Sequence, residues 1–132
     1  MEACRPVDGR VVGVIATRNN LNAINEVMTD YTGLGNSGET YLVGENDRLM
    51  RTVSRSTGQA SDRPIDSHPM LEFAAGNKTG TGEYVSYRGT QVLGSWDEVD
   101  GSDWMMIAEI SSDEVFAPVN NLMIAIIVLI VI

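Results

Sequence analysis

The chain has 132 residues, 43% of them hydrophobic, which is enough for one domain with an ordinary core. Nine Lys and Arg against eighteen Asp and Glu give a net charge of −9, and such an acidic chain repels the phosphates of nucleic acids. The single cysteine, Cys4, and the single histidine, His68, cannot form a metal-binding cluster. We therefore expect the chain to bind no nucleic acid, metal or cofactor.

The first half of the chain predicts a strand, a helix and a hairpin. A β-branched apolar run at 11–16 indicates a mostly buried strand. Apolar residues recur at helical spacing over 21–31, which predicts a helix of about three turns that ends at Gly33. Two candidate strands at 39–43 and 49–55 flank a polar turn and predict a β-hairpin.

The second half predicts a long excursion followed by a β-meander. Residues 56–82 are rich in Ser, Thr, Asp, Gly and Pro, and a short apolar island at 70–75 predicts one helical turn within them. Candidate strands at 82–88, 90–98 and 104–110 are separated by turn residues, which predicts antiparallel pairing. This order of elements is typical of the α+β class, with helices packed on an antiparallel sheet.

A helix is predicted from Ser111 to the end of the sequence. Ser111 and Glu114 have the spacing of a capping box, and Pro118 predicts a bend. Residues 122–132 are eleven consecutive apolar residues, which as a helix cover ~17 Å, about half of a bilayer core. A buried terminal helix would carry a polar face, and this segment has none. We interpret it as the first half of a transmembrane helix, cut by the end of the sequence.

Three glycines, Gly33, Gly35 and Gly38, have the G-x-G-x-x-G spacing of a dinucleotide-binding loop. In that motif the glycines follow a strand and open a helix, whose N-terminus binds the pyrophosphate. Here the loop follows a predicted helix and precedes a strand, and no acidic residue lies about twenty positions further on. We interpret the glycines as a helix stop and a tight turn.

Three segments carry a resemblance to a known family: TGLGNSGETYLVGENDRLMR at 32–51, GEYVSYRGTQVLGSWDEV at 82–99 and DWMMIAEISSDEVFAPV at 103–119. In combination they resemble the membrane-proximal module of double-Cache sensor domains, which occur in chemotaxis receptors, sensor kinases and nucleotide cyclases. The resemblance implies a PAS-like antiparallel sheet flanked by helices, with the last helix continuing into the membrane. It also implies a bacterial inner-membrane protein whose module faces the periplasm.

The resemblance further implies an organisation and a function. We expect a frayed terminus at 1–5, a Cache module at 6–111 and a membrane-directed helix at 112–132. The module would sense a signal and relay shifts, caused by a ligand or a distal module, through this helix to a cytoplasmic output domain. The intact receptor would form a homodimer. The alternative is a structural spacer without a ligand of its own.

Five residues on the predicted strands are candidates for binding a small molecule such as an amino acid or organic acid. Arginine pairs well with a carboxylate, and aromatic rings supply walls. In the alternative, the rings are half-buried sheet residues and the arginines pair with the chain's own acidic side chains. No Ser–His pair is expected, so we predict no catalytic residues and no enzyme. The candidates are Tyr41, Arg51, Arg55, Tyr87 and Trp96.

Overall fold

The computed structural model describes residues 21–131. The strand predicted at 11–16 and the terminus at 1–5 lie outside the described residues. The described part holds three helices and four strands, which confirms the α+β class. In chain order the elements are α1 (Asn22–Met28), β1 (Glu39–Gly44), α2 (His68–Ala74), β2 (Gly80–Val85), β3 (Gln91–Glu98), β4 (Trp104–Ser111) and α3 (Ser112–Val131).

The four strands form one antiparallel sheet in the order β1-β4-β3-β2. Strands β2, β3 and β4 pair in sequence order, which confirms the predicted meander. Strand β1 pairs with β4, far away in the sequence, so the first and last strands of the described sheet are neighbours. In this register Glu39 lies opposite Glu109, and Gly94 lies opposite Glu109 on the other side.

The prediction of a second hairpin strand at 49–55 is wrong. The segment makes a single bridge to β1, between Val43 and Met50. The amide of Leu42 donates to the Thr52 hydroxyl at 3.1 Å, so a side-chain oxygen replaces the carbonyl that a strand would supply. Pairing ends there because the ladder has lost its main-chain acceptor.

Helix α1 is shorter than predicted. It ends at Met28, and the Thr29 hydroxyl donates back to the Asn25 carbonyl at 2.7 Å. Gly33 therefore does not end the helix; it lies in the turn beyond, where its φ of 82° is one that glycine adopts without strain. The predicted helical turn in the long excursion is confirmed as α2.

The core lies on one face of the sheet, beneath α2. Side chains alternate between the two faces of a strand, so alternate residues of β1 and β4 point into this core. Met70 and Phe73 of α2 cover it. Its members are Tyr41, Val43, Met50, Ile65, Met70, Phe73, Tyr84, Val92, Trp96, Met105 and Ile107.

Helix α3 follows β4 without a connecting loop. Ser111 is still the last residue of β4, and the Glu114 carboxylate bonds elsewhere, so the predicted capping box is wrong. The helix continues through Pro118, and the bend there stays a prediction. Its segment Ser112–Ile130 has 19 residues and a mean hydropathy of 1.7, and its residues from 115 to 130 are exposed. It is therefore long and apolar enough to cross a membrane.

Candidate functional site

Two glutamates lie side by side within the core at the end of the sheet nearest α3. Glu39 of β1 and Glu109 of β4 are cross-strand partners, with exposed fractions of 1% and 3%. Alternation places Glu39 on the same face as Tyr41, and Glu109 on the same face as Ile107. Burying a carboxylate costs free energy unless hydrogen bonds or a cation compensate, so the surrounding groups decide its state.

Glu39 is well supplied with donors. Its carboxylate accepts the Arg55 amide at 2.9 Å, the Tyr87 hydroxyl at 2.7 Å and the Ser54 hydroxyl at 3.3 Å. The Arg88 Nε lies 3.3 Å from its Oε1 and supplies a positive charge. These partners compensate for the burial of the Glu39 carboxylate.

Glu109 has fewer hydrogen-bond donors than Glu39. The hydroxyls of Tyr41 and Tyr84 donate to its Oε2 at 3.2 and 3.3 Å. Its Oε1 has no hydrogen-bond partner among the described residues, and the nearest cation, Arg88 Nη2, is 3.7 Å away. Burial raises the pKa of Glu109 to about 7; the Arg88 charge opposes the rise and the Glu39 charge adds to it. Glu109 therefore titrates close to neutral pH.

The tyrosines that bond these carboxylates remain protonated donors. Burial raises the pKa of Tyr87 to about 12, and it also raises the pKa values of Tyr41 and Tyr84 well above their ordinary range. Gly94 makes room for one of them, because a Cβ at that position would lie 2.2 Å from the Tyr84 hydroxyl oxygen. We call Glu39, Glu109, Arg88, Tyr41, Tyr84 and Tyr87 the acidic cluster.

A polar groove of about 290 Å³ opens beside the acidic cluster. Its walls are Ser54, Tyr87 and residues of segment 57–62, and they include the Asp62 carboxylate but no lysine or arginine. The hydroxyl oxygens of Ser54 and Tyr87 are 2.7 Å apart, and both also contact Glu39. A molecule in the groove would therefore touch the two side chains that hold Glu39.

A second groove, of about 560 Å³, lies on the opposite face of the sheet. Ile24 and Val27 of α1 form one wall, and Leu42, Trp104 and Met106 of the sheet form another. Among the described residues that line it, all but Glu98 are apolar, so the groove offers few groups that would orient a small ligand. The polar groove is therefore the better candidate for a binding site.

The structure brings two of the five predicted site residues together. The rings of Tyr41 and Tyr87 meet edge to face at 5.2 Å within the acidic cluster. Trp96 lies in the core, packs edge to face on Tyr84 at 6.3 Å, and donates its indole N–H to the Asn77 carbonyl at 3.2 Å.

The two predicted arginines are engaged by the chain itself. One guanidinium nitrogen of Arg51 donates to both carboxylate oxygens of Asp47, at 2.9 and 2.8 Å. The guanidinium of Arg55 donates to the carbonyls of Gly38 at 2.6 Å and Gly35 at 3.0 Å. Arg55 thereby braces the glycine loop, and its own amide bonds Glu39.

Sequence reasoning missed Glu39, Glu109 and Arg88. A signal for the two glutamates was present, because each lies two residues from an apolar position on the buried face of its strand. Arg88 lies in the turn after β2 and reaches both carboxylates. No periodic pattern in the sequence points to it.

The glycine loop at 33–38 holds a carboxylate from α3. Glu114 accepts the amides of Asn36 at 2.7 Å and Ser37 at 2.8 Å, together with the Ser37 hydroxyl. The same hydroxyl oxygen accepts the Ser111 amide at 3.0 Å. A Cβ on Gly35 would lie 2.3 Å from the Glu114 Oε1, so only glycine fits there. We call this arrangement the Glu114 clamp.

These features define an α+β module with a four-stranded antiparallel sheet, followed by an apolar helix that could span a membrane. The sequence profile of the Cache domain matches residues 2–119, so the chain belongs to the Cache domain family and the predicted resemblance is confirmed. Cache domains are extracytoplasmic, are sensory rather than catalytic, and generally bind small molecules. A search of curated proteins found no match.

Proposed function

We propose that this chain is the extracytoplasmic signal-sensing module of a bacterial transmembrane receptor of the inner membrane. It relays shifts, induced by a ligand or by a distal module, through α3 to a cytoplasmic output domain, and the receptor works as a homodimer. Membership of the Cache family, the apolar helix α3 and the polar groove support this proposal. The module performs no catalysis of its own.

The ligand is a small polar molecule that occupies the groove beside the acidic cluster. Asp62 and the hydroxyls of Ser54 and Tyr87 face it, and Glu39 lies directly behind those hydroxyls. Opposite charges attract across such a short distance, so the groove favours a ligand with an ammonium group, such as an amino acid, over a purely anionic organic acid.

A continuous series of hydrogen bonds connects the groove with α3. Ser54 and Tyr87 bond Glu39, the first residue of β1. Arg55 bonds Glu39 through its amide and the glycine loop through its guanidinium. The loop in turn holds Glu114 in the first turn of α3. A ligand that moves Ser54 or Tyr87 would therefore move the loop and the start of the helix together.

The Glu114 clamp is the observation that best supports a relay through α3. Hydrogen bonds to a carboxylate are shorter and stronger than those between neutral groups. Three donors on residues 36–37 converge on this one side chain. A helix attached only by its covalent link to β4 could pivot, whereas the clamp gives it a second point of attachment to the sheet.

The test replaces the carboxylate by the isosteric amide, Glu114→Gln, with Asp113→Asn as the matched control on the next residue. In E114Q the amide nitrogen cannot accept a hydrogen bond, so the amides of Asn36 and Ser37 should exchange with solvent faster and ligand-dependent output should fall. In D113N both measurements should match the wild type. Wild-type exchange and output in E114Q would refute the relay through the clamp.

The structural spacer is the second candidate, and one observation favours it. The core beneath α2 is filled by buried side chains, among them Met70, Phe73 and Trp96. A thermal-shift screen with amino acids, amines and organic acids separates the two candidates. A ligand that raises the unfolding temperature of the wild type and fails to do so in Tyr87→Phe supports the groove, whereas an empty screen supports the spacer.

A further inference from the structure

The acidic cluster is short of one positive charge. Two buried carboxylates, Glu39 and Glu109, face one guanidinium, that of Arg88, whose side chain is 21% exposed. Buried charges are stable only when they are paired. We infer that the cluster is a proton-binding site, in which Glu109 takes up one proton and leaves the Arg88 guanidinium paired with Glu39.

The distribution of donors selects Glu109 as the residue that binds the proton. Glu39 accepts three hydrogen bonds and lies 3.3 Å from Arg88 Nε. Glu109 Oε1 accepts none from the described residues and is the only cluster oxygen there without a partner, although the side chain is 97% buried or more. A proton on this oxygen removes the unpaired charge and turns the oxygen into a donor.

The groups that face Glu109 come from every neighbouring element. Glu39 and Tyr41 approach from β1, Tyr84 from β2, and Arg88 from the turn that follows β2. Arg88 and the two tyrosine hydroxyls, which donate to the ionised carboxylate, oppose protonation, and burial and the Glu39 charge favour it. The pKa of Glu109, raised by burial to about 7, agrees with this geometry.

Proton binding makes the stability of the module depend on pH. Because the pKa of folded Glu109 lies above the ordinary value of 4.5, folding favours the protonated form. This contribution to stability is complete below pH 4.5 and is lost as the pH rises through about 7. The transition falls within the range of pH that an extracytoplasmic module meets.

The site is tested by carbon-13 NMR on the full chain in lipid nanodiscs, with labelled glutamate carboxyls followed from pH 4 to 9. One resonance should titrate with a midpoint near 7, disappear in Glu109→Gln and persist in Glu83→Gln, which changes an exposed glutamate of the same sheet. Tyr84→Phe removes one donor to the ionised form and should move the midpoint upward. If no glutamate carboxyl of the wild type titrates above pH 6, the inference is wrong.

The consequence of this site for signalling rests on the proposed function and is measured separately. Exchange of the Ser37 amide should change across the same pH range in the wild type and stay constant in E109Q. A titration near pH 7 without any change at Ser37 refutes coupling to the clamp while supporting the proton site. Absence of the titration refutes the proton site and leaves the ligand relay intact.

Discussion

Two carboxylates on one stretch of chain, Glu109 and Glu114, are held in opposite ways. Glu109 lies in the core with two tyrosine hydroxyls and a distant guanidinium. Glu114 lies at the surface, where main-chain amides of the glycine loop bind it directly. The comparison teaches that the surroundings set the role of a carboxylate: the buried one is poised to bind a proton, and the clamped one connects two elements.

The largest expected effect comes from removing the cation of the acidic cluster. Arg88→Met leaves Glu39 and Glu109 buried without the guanidinium that contacts them, and breaking a buried pair in this way costs about 3–5 kcal/mol. The loss of folding stability should be largest at pH 8 and smaller at pH 5, where Glu109 is protonated. Urea unfolding of the full chain in detergent at the two pH values measures it.

Arg51→Met is the matched control for that experiment. Arg51 pairs with Asp47, whose side chain is 45% exposed, and exposed pairs contribute about 0–1 kcal/mol. Its loss should be small at both pH values. Equal effects of R88M and R51M would mean that the acidic cluster is not a special electrostatic environment.

The next largest loss of stability is expected at Gly94, which makes room for Tyr84 in the acidic cluster. Gly94→Ala places a Cβ 2.2 Å from the Tyr84 hydroxyl oxygen and should force the ring away from Glu109, at an overpacking cost of about 1–3 kcal/mol. Gly82 is the cross-strand partner of Gly94 and has open space at its Cβ position, so Gly82→Ala should be close to neutral. A difference in thermal unfolding between the two variants measures the contact; no difference would contradict it.

The smallest effect on stability belongs to the clamp. Gly33→Ala and Gly35→Ala both place a side chain at positive φ, which costs about 1–2 kcal/mol in each. Only the Gly35 variant also collides with the Glu114 carboxylate, since nothing lies within 4 Å of a Cβ at Gly33. We expect faster exchange of the Ser37 amide in G35A than in G33A. Identical exchange in the two would show that Gly35 does not support the clamp.

Much of the fold could be predicted from local pattern. Three candidate strands with turn residues between them predict a meander, and the structure confirms it as β2, β3 and β4. The segment 49–55 has the same composition as a strand and is not one. Its pairing stops because the hydroxyl of Thr52, and not a main-chain carbonyl, accepts the Leu42 amide. Strand propensity does not predict which oxygen will accept an amide.

Less of the candidate site than of the fold could be predicted from the sequence. Tyr41 and Tyr87 were predicted as pocket walls and lie in the acidic cluster, where they donate to buried carboxylates. Arg51 and Arg55 were predicted as ligand partners; Arg51 pairs with Asp47, as the alternative proposed, whereas the Arg55 guanidinium bonds main-chain carbonyls. Their part in binding stays a prediction. Which acceptor an arginine finds depends on distant segments that the fold brings near.

The sequence by itself determined the strand and helix types, the meander, the apolar helix at the end and the family, because these depend on local periodicity and on contiguous motifs. Only the tertiary structure decided that Glu39 meets Glu109 and that the glycine loop receives Glu114. Both encounters follow from the pairing of the first described strand with the last, which brings together residues about seventy positions apart. Such a pairing is set by the energy of the whole sheet, and no local segment encodes it.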